Sequence, residues 1–193
     1  MPRLFTGVEI PPAIGQALAS LRGGLPGARW IDAENYHLTL RFIGNVDDVT
    51  ANEVASMLER VNRAAFDLHL EGVTSFGGRK PRAVVATVAG ARALIDVQAE
   101  HERLMQRMGL EPEGRKYTPH VTLARLRESS SRDVADYLAA RGLFRTPPFR
   151  VSRFVLFSSR ASSGGGPYVV EASYPLAAQP PVMQAAIGAT APR

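Results

Sequence analysis

Apolar and polar positions alternate with a period of two in several short runs of this chain and recur every three to four residues in others, so strands and helices succeed one another irregularly. "RLFTGVEI" (3–10) reads as a strand, after which Pro11 and Pro12 open a helix with Ile14, Leu18 and Leu21 on one face, ended by Gly23, Gly24, Pro26 and Gly27. "RWI" and "YHLTLRFI" are strand-like and Gly44 breaks the run; the acidic pair Asp47 and Asp48 suits a helix N-terminus before the stripe Val54, Met57, Leu58 and Val61. "FDLHLEGV" and "RAVVATVA" resemble two strands joined by the basic-tipped loop "TSFGGRKP". A third helix follows, with Leu94, Val97, Leu104 and Met108 in register and Gly109 as its cap. After "HVTLARL" the pattern predicts a fourth helix that starts near Ser131 or Asp133, turns Val134 and Leu138 inward and ends before Gly142. "RVSRFVLFSSR" and "YVVEASYPL" form a closing pair of strands around the flexible linker "ASSGGGP"; their Phe157 and Tyr168 read as core aromatics, with stacking on a base as the alternative.

This order contains no uninterrupted β-α-β series with a glycine-rich phosphate loop, and "GVTSFGGRK" lacks the Gly-Lys-Ser/Thr ending of a nucleotide triphosphatase. An α+β fold with mainly antiparallel sheet is the expectation. With 193 residues and 45% hydrophobic content the chain can bury one substantial core or two small lobes that share an interface. Residues 1–177 are expected to form one domain, and the aperiodic stretch 178–193 a disordered tail.

Composition narrows the chemistry. Cysteine is absent, which excludes disulfide frameworks, zinc-thiolate sites, iron-sulfur clusters and cysteine nucleophiles. The start, "MPRLFTGVEIPP", lacks the cationic and apolar stretches of a secretory signal, and no apolar run approaches the roughly 18 residues of a membrane span; a soluble cytoplasmic monomer is expected. The net charge is +5, and Lys80 and Lys116 are the only lysines. Arginine's planar fork suits phosphate oxygens and stacks on bases, which favours a phosphate-bearing partner; coding bias toward arginine is an equal alternative.

The sharpest feature is a duplicated string. "YHLTLRFIG" (36–44) and "PHVTLARLR" (119–127) each carry His-x-Thr-Leu with a tyrosine nearby upstream, Tyr36 and Tyr117. In a strand His37, Thr39 and Arg41 share one face and Leu38, Leu40 and Phe42 the other; His120 and Thr122 likewise oppose Val121 and Leu123. The chain has four histidines. His69, without a threonine partner, and His101, on a helix stripe, read as structural. Two copies of one strand motif are what an internal pseudo-twofold produces, with two lobes presenting equivalent strands to a shared groove. Two imidazoles across a groove form an acid-base pair, and two threonine hydroxyls can donate to the same guest. A phosphodiester asks for this combination, because its cleavage deprotonates a nucleophile on one side and protonates a leaving oxygen on the other.

"HLTLRFIG" and "PHVTLAR" are similar to the paired His-x-Thr-x signatures of the two-histidine phosphoesterase superfamily. Up to about Leu176 the chain resembles its RNA 2′,3′-cyclic phosphodiesterase branch, also called 2′-5′ RNA ligase, including "RLFTGVEIP", the spacing from Trp30 through Asn35, and "FVLFSSR" with "YPL". The resemblance implies a bilobal α+β fold with the motif strands facing across a basic cleft. It further implies hydrolysis of a terminal 2′,3′-cyclic phosphate on RNA to a 2′-phosphomonoester, with weak reverse ligation and no cofactor. His37 would be the proton donor to the departing 3′ oxygen, His120 the base, and Thr39 and Thr122 the holders of non-bridging oxygens. Arg41, by parity with His37, and Arg125, provided its strand kinks, are the phosphate-binding candidates. Three alternatives stay open. Small nucleotide or ADP-ribose cyclic phosphates are one. A non-catalytic module capturing RNA ends is the second. The third, a metal-assisted hydrolase, lacks a third ligand near either motif.

Overall fold

The computed structural model describes residues 3–159 and 166–178. Its order is β1 (Arg3–Glu9), α1 (Pro12–Ala19), β2 (Ala28–Trp30), a 3-10 turn (Ala33–Asn35), β3 (His37–Asn45), α2 (Asp48–Leu58), β4 (Phe66–Phe76), β5 (Ala83–Ala89), α3 (Arg92–Arg107), β6 (His120–Leu126), α4 (Ser131–Arg141), β7 (Phe149–Val151), β8 (Arg153–Ser159) and β9 (Tyr168–Pro175). The helices start where local chemistry directs: Pro12 opens α1, while Asp47 caps α2 through the Thr50 N–H and Ser130 caps α4 through the Asp133 N–H. Each side-chain cap is worth about 1 kcal/mol.

Several boundaries differ from the sequence reading. Gly44 adopts a positive φ within β3 instead of ending it. β4 continues through Phe76, because Thr74, Ser75 and Phe76 pair with Val85, Val84 and Ala83 of β5. "RVSRFVLFSS" divides at Ser152 into β7, which pairs with β4, and β8, which pairs with β1. The α4 cap is Ser130, one residue before the expected start, and Tyr137 is buried where Leu138 is only partly so. All but the first residue of the expected disordered tail, 178–193, and most of the glycine-rich linker lie outside the described residues.

All the strands join one mixed-order sheet, β7-β4-β5-β6-β3-β1-β8-β9, with β2 on β6. Read outward from its centre, β3 is followed by β1, β8 and β9, and β6 by β5, β4 and β7, so the two halves mirror one another. Every named strand pair is antiparallel. The central pair meets at a single bridge, Leu38↔Val121, after which β2 takes over the same edge of β6 and the Ile31 N–H bonds to the Leu123 carbonyl. The motif strands touch once and then part, which opens a cleft between the halves.

The helices cover the face opposite that cleft. Leu38, Leu40, Val121 and Leu123 lie in one apolar core with Ile14 and Leu18 of α1, Val54 and Leu58 of α2, Leu94 and Val97 of α3 and Val134 of α4. A second, smaller cluster of Phe5, Val155 and Phe157 with Tyr168 packed on it lies apart from this core, on the strands that flank His37. Among the described residues no helix is long and apolar enough to cross a membrane.

Candidate active site

The strand alternation predicted for the two motifs holds only as far as the residue after each threonine. In β3, Gly7 and Thr6 of β1 are partners of Thr39 and Arg41, so Leu40 is an extra residue; in β6, Val85 and Val84 of β5 are partners of Thr122 and Ala124, so Leu123 is extra. Both motif strands therefore carry a bulge at the same place, three residues after the histidine. A bulge shifts the parity of everything beyond it. Phe42 and Arg125, each five residues after its histidine, are brought to the cleft, and Arg41 and Ala124 are turned into the interior.

This corrects the assignment of Arg41 to phosphate. Its guanidinium is buried, pairs with Glu102 of α3 and Glu113, and donates to the backbone carbonyls of Phe42 and Glu111. Burial alone would raise the Glu102 carboxyl, but hydrogen bonds from Gln106 and the Glu113 N–H, together with Arg41, hold it below its ordinary value. Arg125 reaches the cleft because β6 has the kink that its role required.

The cleft has a volume of about 680 Å³ and is lined by His37, Thr39, His120, Thr122 and Arg125 together with Phe42, Phe76, Tyr117 and Tyr168. The Leu38↔Val121 bridge sets His37 opposite Thr122 and Thr39 opposite His120. The histidines are thus diagonal neighbours, about 7–8 Å apart at the backbone, a spacing from which two imidazoles reach the same small anion.

The two rings are held by the same device. His37 Nδ1 donates to the Asn35 carbonyl at 2.8 Å and His120 Nδ1 to the Thr118 carbonyl at 2.7 Å, in each case two residues upstream. A carbonyl only accepts, so Nδ1 carries the proton and Nε2 is left for the cleft. Tyr117 ties the halves together by donating from its hydroxyl to the Thr39 carbonyl at 2.9 Å.

Their surroundings differ. His37 packs against Phe5 at 5.0 Å, Phe157 at 5.6 Å and, edge to face, Tyr168 at 4.9 Å between ring centres. Burial pushes its pKa down to about 4, against the opposing pull of the Asn35 carbonyl, and the charges of His120 and Arg125 add to the depression. Among the described residues the one ring packed on His120 is Phe76, at 4.7 Å between centres. Its pKa is also lowered, chiefly by burial and then by Arg125. Phe157 is buried as expected of a core aromatic, whereas Tyr168, also read as core, lines the cleft.

The sequence-predicted residues otherwise fall as read. His101 is fully buried, donates from Nδ1 to the Val97 carbonyl at 2.7 Å and packs on Phe154. His69 sits beside Glu71 and Arg145 and does not line the cleft. Sequence reasoning missed Phe42 as a cleft residue, and the signal that finds it is its equivalence to Arg125. No group of three or more His, Cys, Asp or Glu side chains able to hold a metal ion occurs among the described residues.

Two imidazoles with Nε2 turned to one cleft, a threonine beside each and one guanidinium between the halves define a phosphoesterase of the two-histidine class. The comparisons agree and make the class specific. The family described as LigT like Phosphoesterase matches residues 8–87 and again 85–168, one motif in each match, and the chain belongs to it. A protein of Aeropyrum pernix named RNA 2′,3′-cyclic phosphodiesterase is 38% identical over 106 residues, 54% of this chain and 60% of the relative. One of the same name from Aquifex aeolicus is 29% identical over 150 residues, 74% of this chain and 78% of the relative. A solved structure titled a phosphoesterase superposes with a TM-score of 0.75 at 23% identity, covering 92% of this chain and 99% of the other. E. coli LigT complexed with 3′-AMP gives 0.73 at 24% over 91% and 99%. These likenesses establish the fold.

Proposed function

We propose that this protein hydrolyses 2′,3′-cyclic phosphate ends of RNA to 2′-phosphomonoesters, with His37 and His120 exchanging protons and no metal ion taking part. Residues 1–177 act as one catalytic unit and as a monomer. The observation that carries this reading is the pair of carbonyl-anchored imidazoles set diagonally across β3 and β6, each opposite the other motif's threonine. The relatives named RNA 2′,3′-cyclic phosphodiesterase supply the substrate class.

In this mechanism the cyclic phosphate lies between the two Nε2 atoms. His120 enters neutral and takes a proton from water as the water oxygen bonds to phosphorus. The bond from phosphorus to the 3′ oxygen breaks, and that oxygen receives the proton of His37 Nε2, leaving a free 3′ hydroxyl and a 2′ monoester. The Thr39 and Thr122 hydroxyls and the Arg125 guanidinium hold the non-bridging oxygens as charge builds there. The order of the histidines follows the family resemblance. In the empty cleft burial disfavours imidazolium at both rings. A bound phosphodiester anion supplies the opposite charge that raises the pKa of the donor histidine. Reverse joining of 2′-5′ ends follows from microscopic reversibility as a minor activity.

Small nucleotides form the second reading, favoured by the 3′-AMP complex of E. coli LigT. The deciding experiment incubates the purified protein, in excess EDTA, with an oligonucleotide ending in a 2′,3′-cyclic phosphate and with the matching cyclic mononucleotide, and identifies the monoester formed. A 2′ monoester from the oligonucleotide is the expected product. A 3′ monoester, or activity lost to EDTA and restored by metal, overturns the mechanism.

A further inference from the structure

The cleft carries more positive charge than the reacting phosphate uses. Besides Arg125 it is lined by Arg3 of β1 and by Arg115 and Lys116 of the loop that precedes β6. Arg3 pairs in the sheet with Asn45, three residues past Phe42, so it stands at the far end of the row that begins at His37. The loop runs alongside β3, tied to it where Tyr117 donates to the Thr39 carbonyl and Arg41 to the Glu111 carbonyl.

The carboxylates nearby lean on the buried arginine, although Glu113 also lines the cleft. Glu102 and Glu113 both pair with the buried Arg41, and Glu102 also accepts from the Glu113 N–H. Arg3, Arg115 and Lys116 have no carboxylate within ion-pair distance among the described residues, unlike Arg63, Arg92 and Arg153, which are paired with Glu100, Asp96 and Glu9. A solvated basic face normally interleaves both signs; here three cations, Arg3, Arg115 and Lys116, share a concave wall with one lining carboxylate, Glu113.

We infer that Arg3, Arg115 and Lys116 form a second anion subsite, which takes the phosphate on the 5′ side of the nucleoside whose 2′,3′-cyclic phosphate lies between the histidines. This rests on the proposed reaction. A cyclic phosphate occupies one edge of the ribose and the 5′ oxygen leaves from the other, so a substrate seated at His37 and His120 carries its next anion along the cleft. Arginine forks and an ammonium group suit a phosphate there. The anion has two sources, an internucleotide phosphate of an RNA strand and a terminal 5′ phosphate of a small nucleotide.

The test compares kcat/KM for three substrates: adenosine 2′,3′-cyclic phosphate with a 5′ hydroxyl, the same compound with a 5′ phosphate, and a diadenylate ending in the cyclic phosphate. Wild-type protein at low salt is expected to favour both phosphate-bearing substrates over the 5′-hydroxyl compound by about tenfold or more, the preference shrinking as salt rises. A gain with the diadenylate alone assigns the subsite to the strand, and one with the 5′ phosphate alone to small nucleotides. The double substitution Arg115→Ala and Lys116→Ala is expected to bring the ratio to within about twofold of unity. A wild-type ratio near one, or a ratio that survives the double substitution, overturns the subsite and leaves the reaction standing. If the ratio is lost instead on Arg79→Ala and Lys80→Ala, on the loop between β4 and β5, the anion is held elsewhere. Turnover of none of the three substrates overturns the reaction and the subsite with it.

Discussion

The two halves of the cleft share their backbone devices and differ in their walls. Each motif strand has its bulge after the threonine and its histidine anchored to a carbonyl two residues upstream. Around the pseudo-twofold, the row Phe157–Phe5–Phe42 across β8, β1 and β3 corresponds to Phe76–Ala83–Arg125 across β4, β5 and β6. One wall is aromatic and the other ends in a guanidinium. The shared devices set what each imidazole can do, and the walls decide how readily it does so. The aromatic half desolvates His37 and pushes its pKa down to about 4, so in the empty cleft this ring is neutral near pH 7 and needs a bound anion to hold a second proton.

If the two histidines are equal partners in one reaction, losing either is the largest effect. His37→Ala and His120→Ala are each expected to lower kcat on a cyclic-phosphate oligonucleotide by about 10²- to 10⁴-fold, read as initial rate of monoester formation. Near-normal turnover by either variant ends the acid-base assignment. The positions just after the bulges give the next comparison. Arg41 occupies in one half the interior place that Ala124 holds in the other. Arg41→Ala leaves Glu102 without its cation and is expected to cost about 3–5 kcal/mol in denaturant unfolding. An unchanged midpoint would show that the buried pair contributes nothing net.

Arg125 and Phe42 test the walls directly. Arg125→Met removes a donor to developing charge and is expected to lower kcat by about 10²- to 10³-fold. Its charge depresses both imidazoles, so the variant's histidine titrations move upward together. Phe42→Ala, at the equivalent place, has no such charge and leaves both midpoints where they are. Smaller again are Thr39→Ala and Thr122→Ala. Each removes one hydroxyl donor, worth about 1 kcal/mol, and a roughly fivefold drop in kcat/KM is expected from each. A loss confined to one of them would break the symmetry of the paired motifs.

How much of this was legible follows from what carries it. The duplicated His-x-Thr-Leu string is a local pattern, and it gave the two histidines, the threonines and the pseudo-twofold, while the order of elements gave the antiparallel class. Parity counting then failed at Arg41 for a definite reason. A bulge is a property of the pairing between β1 and β3, and nothing in "HLTLRF" read alone marks Leu40 as unpaired. The same device explains how Arg125 reaches the cleft at an odd spacing from His120. The division of "RVSRFVLFSS" between β4 and β1 was hidden likewise, because one residue, Ser152, separates two strands whose partners lie far apart in the chain. Tyr168 could be read either way, since a strand aromatic looks alike whether it faces a core or a cleft; it packs on the small aromatic cluster and lines the cleft as well.

The finest test of the comparison is to make the aromatic half resemble the other. Tyr168 packs edge to face on His37 and does not appear among the ring neighbours of His120. Tyr168→Ala admits water to His37, relieving the burial that is the main cause of its depression, and its midpoint is expected to climb from about 4 toward the ordinary 6.5 while His120 stays put. Ring-proton NMR titration reads both. The linkage has a definite sign. Between about 6.5 and 4 the unfolded chain binds a proton at this position that the folded protein does not, so His37 makes wild-type stability fall as pH drops through that window. In the variant that part of the fall is smaller. If the His37 midpoint does not move, its depression comes from the charges of His120 and Arg125 and not from the aromatic wall, and the two halves differ less than their packing indicates.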